Sequence, residues 1–227
     1  MLRTARLLAL LLILVLGGAW AYAWLTRAPG EGPGEALATR LAALFGGGGT
    51  TPPAGATPLA GLNLGGPFNL TDQHGRAVTE RDFAGRWMLV YFGYTFCPDV
   101  CPTELGTIAA AMQDLGDKAA QVVPVFITVD PERDTPEQLA TYVPNFDPRM
   151  VGLTGTPEQI AEAARRYRVY YAKSERPGMT EYLMDHSSFV YLVGPDARVR
   201  ALFRPDTRPA DIAAAISAQL AAAQRTT

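Results

Sequence analysis

Two cysteines, Cys97 and Cys101, and two histidines, His74 and His186, carry most of the metal-binding and nucleophilic potential of this 227-residue chain. The cysteines lie in Tyr94-Thr95-Phe96-Cys97-Pro98-Asp99-Val100-Cys101-Pro102, with three residues between them. That spacing admits three chemistries: a structural disulfide, a dithiol redox couple one residue wider than a C-x-x-C pair, or two thiolate ligands for a metal. A purely structural bridge is the weakest of these, since closing so short a loop removes little entropy from the unfolded chain. His186 sits in Tyr182-Leu183-Met184-Asp185-His186-Ser187-Ser188-Phe189. Its ordinary role there is a hydrogen-bonded structural residue, its functional role a partner for the two thiols. His74 falls in the turn-forming group Asp72-Gln73-His74-Gly75 and reads as a solvated turn residue.

Positioning two thiols takes a rigid element on either side. Trp87-Met88-Leu89-Val90-Tyr91-Phe92 is continuously apolar and rich in aromatic and β-branched residues, which suits a strand buried on both faces. Beyond the cysteines, Pro102 fits a first helical position, and Ile108, Met112 and Leu115 recur at helical spacing. The thiols are thus expected in a loop between a central strand and a helix N-terminus. Unpaired N–H groups and the positive end of the helix dipole there favour ionisation of at least one thiol.

The remaining chain supplies more of the same pattern. Phe68–Thr71 and Ala77–Val78 flank the Asp72–Gly75 turn as a small hairpin, and Val122–Val129 reads as a second apolar strand, with Pro124 marking its start or an edge position. Thr135-Pro136 opens a helix through about Tyr142, and Thr156-Pro157-Glu158 opens another that carries Ile160, Ala164 and Tyr167 on one face. Met150–Leu153 is a short apolar piece, and Tyr170–Met179 is polar and irregular. Ser187–Val193 and Val199–Phe203 pair across Gly194-Pro195-Asp196-Ala197, so His186 stands at the start of the last hairpin, and Asp211–Ala223 is an Ala-rich helix. Strands alternating with helices, then a hairpin and a final helix, indicate an α/β domain with a central mixed sheet flanked by helices. A cysteine loop after the first long strand narrows that to a thioredoxin-like fold.

Ahead of this domain the chain is uncharged from Leu7 to Leu25, 19 residues bracketed by Arg3, Arg6 and Arg27. That length is close to what crosses a bilayer as a helix, and Trp20, Tyr22 and Trp24 crowd the far end, where aromatic rings favour the interface. Residues 1–27 are expected to form a membrane anchor with a cytoplasmic N-terminus, leaving the domain outside the cytoplasm on the periplasmic or an equivalent extracytoplasmic side. A cleaved signal peptide is the alternative, since Ala19-Trp20-Ala21 and Ala21-Tyr22-Ala23 fit a cleavage pattern; the unbroken span of 19 residues favours retention. Residues 28–58, rich in Gly and Pro, read as a flexible tether, with a short helix conceivable over Glu35–Phe45, and residues 59–227 as the folded domain. With 20 Lys and Arg against 22 Asp and Glu and no basic cluster, nucleic acid is excluded as a partner.

If a thioredoxin-like sheet brings the late hairpin beside the cysteine loop, the site offers two thiolates and one imidazole. That set suits Cu(I), with its low coordination number. Structural zinc normally takes four protein ligands, and a fourth is not evident; Cu(II) is conceivable with one further donor. Met184 could supply a thioether, though filling the core is its ordinary role. Cys97 through Pro102 with the preceding Tyr94-Thr95-Phe96, Phe126-Ile127-Thr128-Val129-Asp130-Pro131-Glu132-Arg133-Asp134-Thr135-Pro136, and Asp185-His186-Ser187-Ser188 together closely resemble the Sco (SenC) family of copper-binding cytochrome c oxidase assembly proteins. The resemblance runs from about Gly66 to Ala223.

It implies that Cys97, Cys101 and His186 are copper ligands, that Cys97 and Cys101 can also form a disulfide, and that copper goes to the dinuclear copper centre of cytochrome c oxidase subunit II. An upstream copper donor and a thiol reductant follow as partners. On that footing the chain is a metallochaperone rather than an enzyme. The rival is a thiol-disulfide oxidoreductase that uses Cys97 and Cys101 to reduce the acceptor's cysteines. Peroxide reduction by a single activated cysteine is a third class, and it leaves the histidine unexplained. The Asp130–Pro136 segment is explained locally only as a strand end and a helix cap. Asp130, Arg133 and Asp134 are open to a solvated-turn reading or a place at the rim of the site, and Asp99 is equally open.

Overall fold

A computed structural model describes residues 63–175 and 181–225, the backbone of Ala56 and Thr57, and isolated positions among the first 24 residues. The chain divides into two units, Met1–Thr51 and Pro52–Thr227. The expected anchor, most of the tether and the Glu35–Phe45 helix lie outside the described residues. No helix among the described residues is long and apolar enough to cross a membrane.

Among its described residues the second unit holds ten strands and four α-helices. In chain order they are β1 (Ala56–Thr57), β2 (Asn69–Asp72), β3 (Ala77–Thr79), β4 (Trp87–Gly93), α1 (Val100–Asp114), β5 (Val122–Thr128), α2 (Pro136–Tyr142) and β6 (Val151–Thr154). There follow α3 (Pro157–Tyr167), β7 (Tyr171–Ser174), β8 (Leu183–His186), β9 (Val190–Val193), β10 (Val199–Phe203) and α4 (Pro209–Gln224). Eight strands form one sheet in the order β1-β10-β9-β4-β5-β6-β2-β3. Its centre is parallel (β4 with β5, β5 with β6), and β9 joins β4 antiparallel. This is the expected mixed sheet flanked by helices. All seven residues of β4 and all seven of β5 are buried, which is why both read as unbroken apolar runs rather than alternating ones.

The helix starts follow from their caps. Thr135 Oγ1 accepts from the Gln138 N–H and Thr156 Oγ1 from the Gln159 N–H, each with Pro at the first helical position. Four expectations are corrected. Helix α1 begins at Val100, two residues before Pro102, so Cys101 lies in its first turn rather than in the loop. Proline is tolerated there because a first-turn N–H has no intrahelical acceptor anyway. Pro124 lies on a central strand, not an edge or a start; it is in register with Leu89 of β4 and precedes the β6 pairing, which begins at Val125, so no ladder bond is lost on the β6 side. Tyr171–Ser174, in the stretch expected to be irregular, is β7, which pairs with β8 as a separate two-stranded sheet, so His186 ends β8 instead of starting the last hairpin. And Ala56–Thr57, within the stretch read as tether, pairs with Phe203 and Leu202 as β1.

Candidate metal centre

Cys101 owes its place to helical periodicity. It shares a face of α1 with Leu105, Ile108 and Met112, all buried, and its thiol is fully enclosed at 0% exposure. Close approach to β4 is possible only because Gly93 has no side chain. A Cβ there would stand 2.9 Å from Cys101 Sγ, 2.9 Å from Tyr91 Cε1 and 3.0 Å from Phe126 Cε2. Cys97 lies two residues before the helix cap Asp99 and is half-buried. Its sulfur accepts from the Cys101 N–H at 3.4 Å, occupying the place a capping side chain would take. Both cysteines are free thiols.

His186 meets them from the other side. Its Nε2 lies 3.3 Å from Cys101 Sγ, and its Nδ1 is 3.1 Å from the Ser187 carbonyl oxygen. With Nδ1–H donating to that carbonyl, Nε2 is the nitrogen with a free lone pair, the usual arrangement behind a metal-binding imidazole. The rings of Tyr91 and Tyr94 stand edge-on to the imidazole at 6.1 and 5.8 Å between centroids, fixing its plane. The two sulfurs and the imidazole nitrogen all lie within 4.8 Å of one another, and among the described residues this is the one group of three or more His, Cys, Asp or Glu side chains close enough to share a metal ion. A cleft of about 410 Å³ opens onto it between the cysteine loop (Tyr94 and Cys97 to Val100) and the segment Leu183–Ser188.

The thiols are electrostatically unequal. Hydrogen bonding from Cys101 holds the Cys97 thiol far below the ordinary cysteine range against the opposing effect of burial, helped by His186 and the N–H groups of Asp99 and Cys101. Cys101 is pushed the other way, by Cys97 and by burial. The pair therefore ionises first at Cys97, with Cys101 keeping the proton that bridges them.

The segment Asp130–Asp134 is not a solvated turn. Asp130 and Asp134 are 1% and 0% exposed. Asp134 accepts from the Thr95 N–H at 3.0 Å, the Thr95 hydroxyl at 2.6 Å and the Thr128 hydroxyl at 2.6 Å, which ties the cysteine loop to the end of β5. Burial raises its carboxyl above the ordinary range, with these three donors opposing. Asp130 accepts from Arg133 Nε at 2.5 Å and from the Tyr182 hydroxyl at 2.8 Å. Arg133 also donates to the Tyr182 carbonyl at 3.0 Å, and its guanidinium stands 3.7 Å from the centroid of the Tyr182 ring and 4.9 Å from that of Phe96. Tyr182 immediately precedes β8, the strand that ends at His186.

The structure thus brings Cys97, Cys101 and His186 together and leaves His74 apart. His74 is an exposed turn residue whose N–H donates to Asp72 Oδ1 at 2.9 Å. Met184 is buried in the apolar core, its ordinary role, although it also borders the cleft. Asp99 is exposed and caps α1 without a side-chain bond. Sequence reasoning did not single out Gly93, Thr95, Thr128 or Tyr182 as parts of the site. Only Gly93 carried a signal, as the lone small residue at the end of a bulky apolar strand.

The SCO1/SenC family profile matches residues 56–221. The human mitochondrial protein SCO1 homolog is 43% identical over 159 residues, covering 69% of this chain and 53% of its own length. The chain therefore spans about half of that relative. The crystal structure of Arabidopsis thaliana ScoI with copper bound superposes with a TM-score of 0.66 at 42% identity, covering 69% of this chain and 98% of that one. BsSco, a member of the Sco family of cytochrome c oxidase assembly proteins in which a disulfide switch has been identified, superposes with a TM-score of 0.54 at 28% identity, covering 70% of this chain and 95% of its own. With these residues matched across most of the second unit, the chain belongs to the SCO1/SenC family.

Proposed function

We propose that the chain is a membrane-anchored copper carrier in which Cys97, Cys101 and His186 hold the metal and pass it to the dinuclear copper centre of cytochrome c oxidase subunit II. The observation that carries this reading is the convergence of two sulfurs and an imidazole nitrogen within 4.8 Å, with no fourth His, Cys, Asp or Glu joining the group among the described residues. Two soft thiolates and one imidazole fit Cu(I), whereas structural zinc would normally take a fourth protein ligand. The likeness to copper-bound ScoI supports the same choice. Release proceeds by ligand exchange: Cys97, half-exposed on the cleft and the more readily ionised, is the first thiolate an acceptor sulfur displaces, and the enclosed Cys101 is the last. In this reading residues 7–25 cross the membrane with the N-terminus in the cytoplasm, the residues from there to β1 tether the domain on the outer face, and a copper donor and a thiol reductant act upstream.

A second reading is favoured by the inequality of the two thiols. An ionised, accessible Cys97 beside an enclosed Cys101 is the arrangement of an attacking and a resolving thiol. The Cys97 thiolate would attack an acceptor disulfide and form a mixed disulfide. Cys101 would then displace the second acceptor thiol, leaving the acceptor reduced and Cys97 and Cys101 joined. The likeness to BsSco, with its disulfide switch, supports this reading as well.

The two separate at His186. Copper stoichiometry and Cu(I) affinity of the reduced protein are measured beside Cys97→Ser, Cys101→Ser and His186→Ala. A carrier binds one copper and loses affinity in all three variants, while a dithiol reductase retains exchange activity in His186→Ala. Unchanged Cu(I) affinity in His186→Ala would remove it from the ligand set.

A further inference from the structure

A second cleft, of about 440 Å³, shares no residue with the one at the cysteines. Four arginines line it, Arg165, Arg166, Arg168 and Arg198, against a single carboxylate, Glu162. The whole chain carries a net charge of −2, so an excess of three positive charges in one cleft runs against its overall balance. Basic residues in the last turn of a helix are ordinarily explained by the helix dipole, and Arg165 and Arg166 occupy that position on α3. Two observations exceed that explanation. Three of the four closing carbonyls of α3 are already satisfied by backbone, with the Val169 N–H on Ala164, the Arg168 N–H on Arg165 and the Gly65 N–H on Arg166, so capping does not account for four guanidiniums. And the other two arginines come from outside the helix: Arg168 at the left-handed cap position (φ 54°), and Arg198 from the turn between β9 and β10.

Three of the four guanidiniums also have side-chain partners. Arg165 and Arg166 both pair with Glu162, and Arg198 donates to Asn63 Oδ1. On the wall facing Arg166, Gly66 (φ 130°) puts no side chain in the way; a Cβ there would meet Arg166 Nη1 at 3.5 Å. Planar donors fixed around an open, water-accessible cleft match the oxygens of a phosphate group, which guanidinium binds in bidentate fashion.

We propose that this cleft takes the phosphate of an anionic phospholipid headgroup. The choice of a lipid over a free phosphate rests on the anchored reading above. Asn63–Pro67, one wall of the cleft, follows five residues after β1, the first strand of the folded unit. If residues 26–55 tether that unit to the bilayer, their r.m.s. reach is only about 30 Å. A weak headgroup site at that distance acts at high effective concentration and would turn the domain to one face of the membrane.

The test uses residues 52–227, a compact unit to which the solved ScoI structure corresponds over 98% of its length. This piece lacks the expected anchor, so the result is independent of whether residues 7–25 span a membrane, and it is run without copper. Co-sedimentation is compared on phosphatidylglycerol and phosphatidylcholine vesicles, with inorganic phosphate titrated separately by calorimetry. Expected is binding to the anionic vesicles alone, falling about fivefold for Arg168→Gln or Arg198→Gln and about 25-fold for the pair, and weakening with salt. Glu162→Gln is expected to tighten binding, a gain that misfolding does not produce. Equal binding to both vesicle types, or no change in the arginine pair, overturns the site. Saturable phosphate binding without vesicle binding overturns the lipid assignment.

Discussion

Arg133→Ala tests whether the segment after β5 sets the position of His186. The guanidinium is the ion-pair partner of Asp130 at 2.5 Å, and the two side chains are 14% and 1% exposed. Removing one member of a buried pair costs about 3–5 kcal/mol, because the other charge is left without compensation. Three adjustments follow from the contacts. Asp130 keeps the Tyr182 hydroxyl at 2.8 Å, which moves the cost toward the lower end. Loss of the stacking at 3.7 Å on Tyr182 adds about 1 kcal/mol. Arg133 Nη2 is buried without a partner, and its removal returns about 1 kcal/mol. The expected loss is therefore about 3 kcal/mol in urea unfolding, against a typical total of about 5–15. Because Arg133 also donates to the Tyr182 carbonyl, just before the strand that ends at His186, Cu(I) affinity should fall roughly 10- to 100-fold in protein that is still folded. Arg133→Lys keeps the charge but not the planar fork and should fall in between. In the Asp130→Asn background Arg133→Ala should cost at least about 1 kcal/mol less, since the charge it strands is gone. Additivity of the two changes, or a loss below about 1 kcal/mol in Arg133→Ala, would refute the reasoning.

Four further outcomes follow from the same structure. Asp134→Ala strands three donors and should cost about 3–5 kcal/mol, whereas Asp134→Asn, able to accept on one oxygen and donate to a threonine hydroxyl, should stay within about 1. Because burial raises the folded carboxyl, Asp134 favours folding below its unfolded pKa and loses that advantage as pH rises through the folded value; the urea midpoint of the parent relative to Asp134→Asn should therefore fall as pH rises across the acid range. Gly93→Ala puts a methyl 2.9 Å from Cys101 Sγ and should cost about 1–3 kcal/mol with a matching loss of copper stoichiometry; a stable variant with full copper binding would contradict the packing. In the reduced protein, iodoacetamide should alkylate Cys97 before Cys101 and at a pH below that of a free thiol, and equal rates at the two would contradict the assigned order of ionisation, as read by peptide mapping.

What could be read in advance divides along a physical line. β4 and β5 were legible because burial on both faces leaves no polar position, and α2 and α3 because a threonine cap followed by proline is a local signal. β7 was not, because none of its four residues is buried, so it shows neither an apolar run nor an alternation, and its order comes from pairing with β8. The start of α1 was misplaced because every position of a first turn lacks an intrahelical acceptor, so Pro102 marks the turn but not its first residue. Cys97, Cys101 and His186 were legible as residue types, and the resemblance placed them together. Their supports were not. The bond from Thr95 to Asp134 spans 39 residues and that from Tyr182 to Asp130 spans 52, and nothing in either local sequence announces them.

Those long bonds give the Asp130–Asp134 segment a purpose that a strand end and a helix cap do not. Each sulfur or nitrogen of the site is held differently. Cys101 is fixed by the core face of α1. Cys97 follows a loop that Asp134 grips through Thr95. His186 ends a strand of a separate two-stranded sheet, which Arg133 and Asp130 grip through Tyr182. Two of the three placements therefore run to one short segment at the end of a fully buried central strand. The distance between loop and histidine is then set by the segment itself and not by the sum of two independent attachments. On this account damage to the segment degrades the site before it degrades the fold. Loosening either grip alone should lower metal affinity by moving one ligand. Loosening both should cost little more, since a site that has lost one of three ligands has already lost most of its geometry.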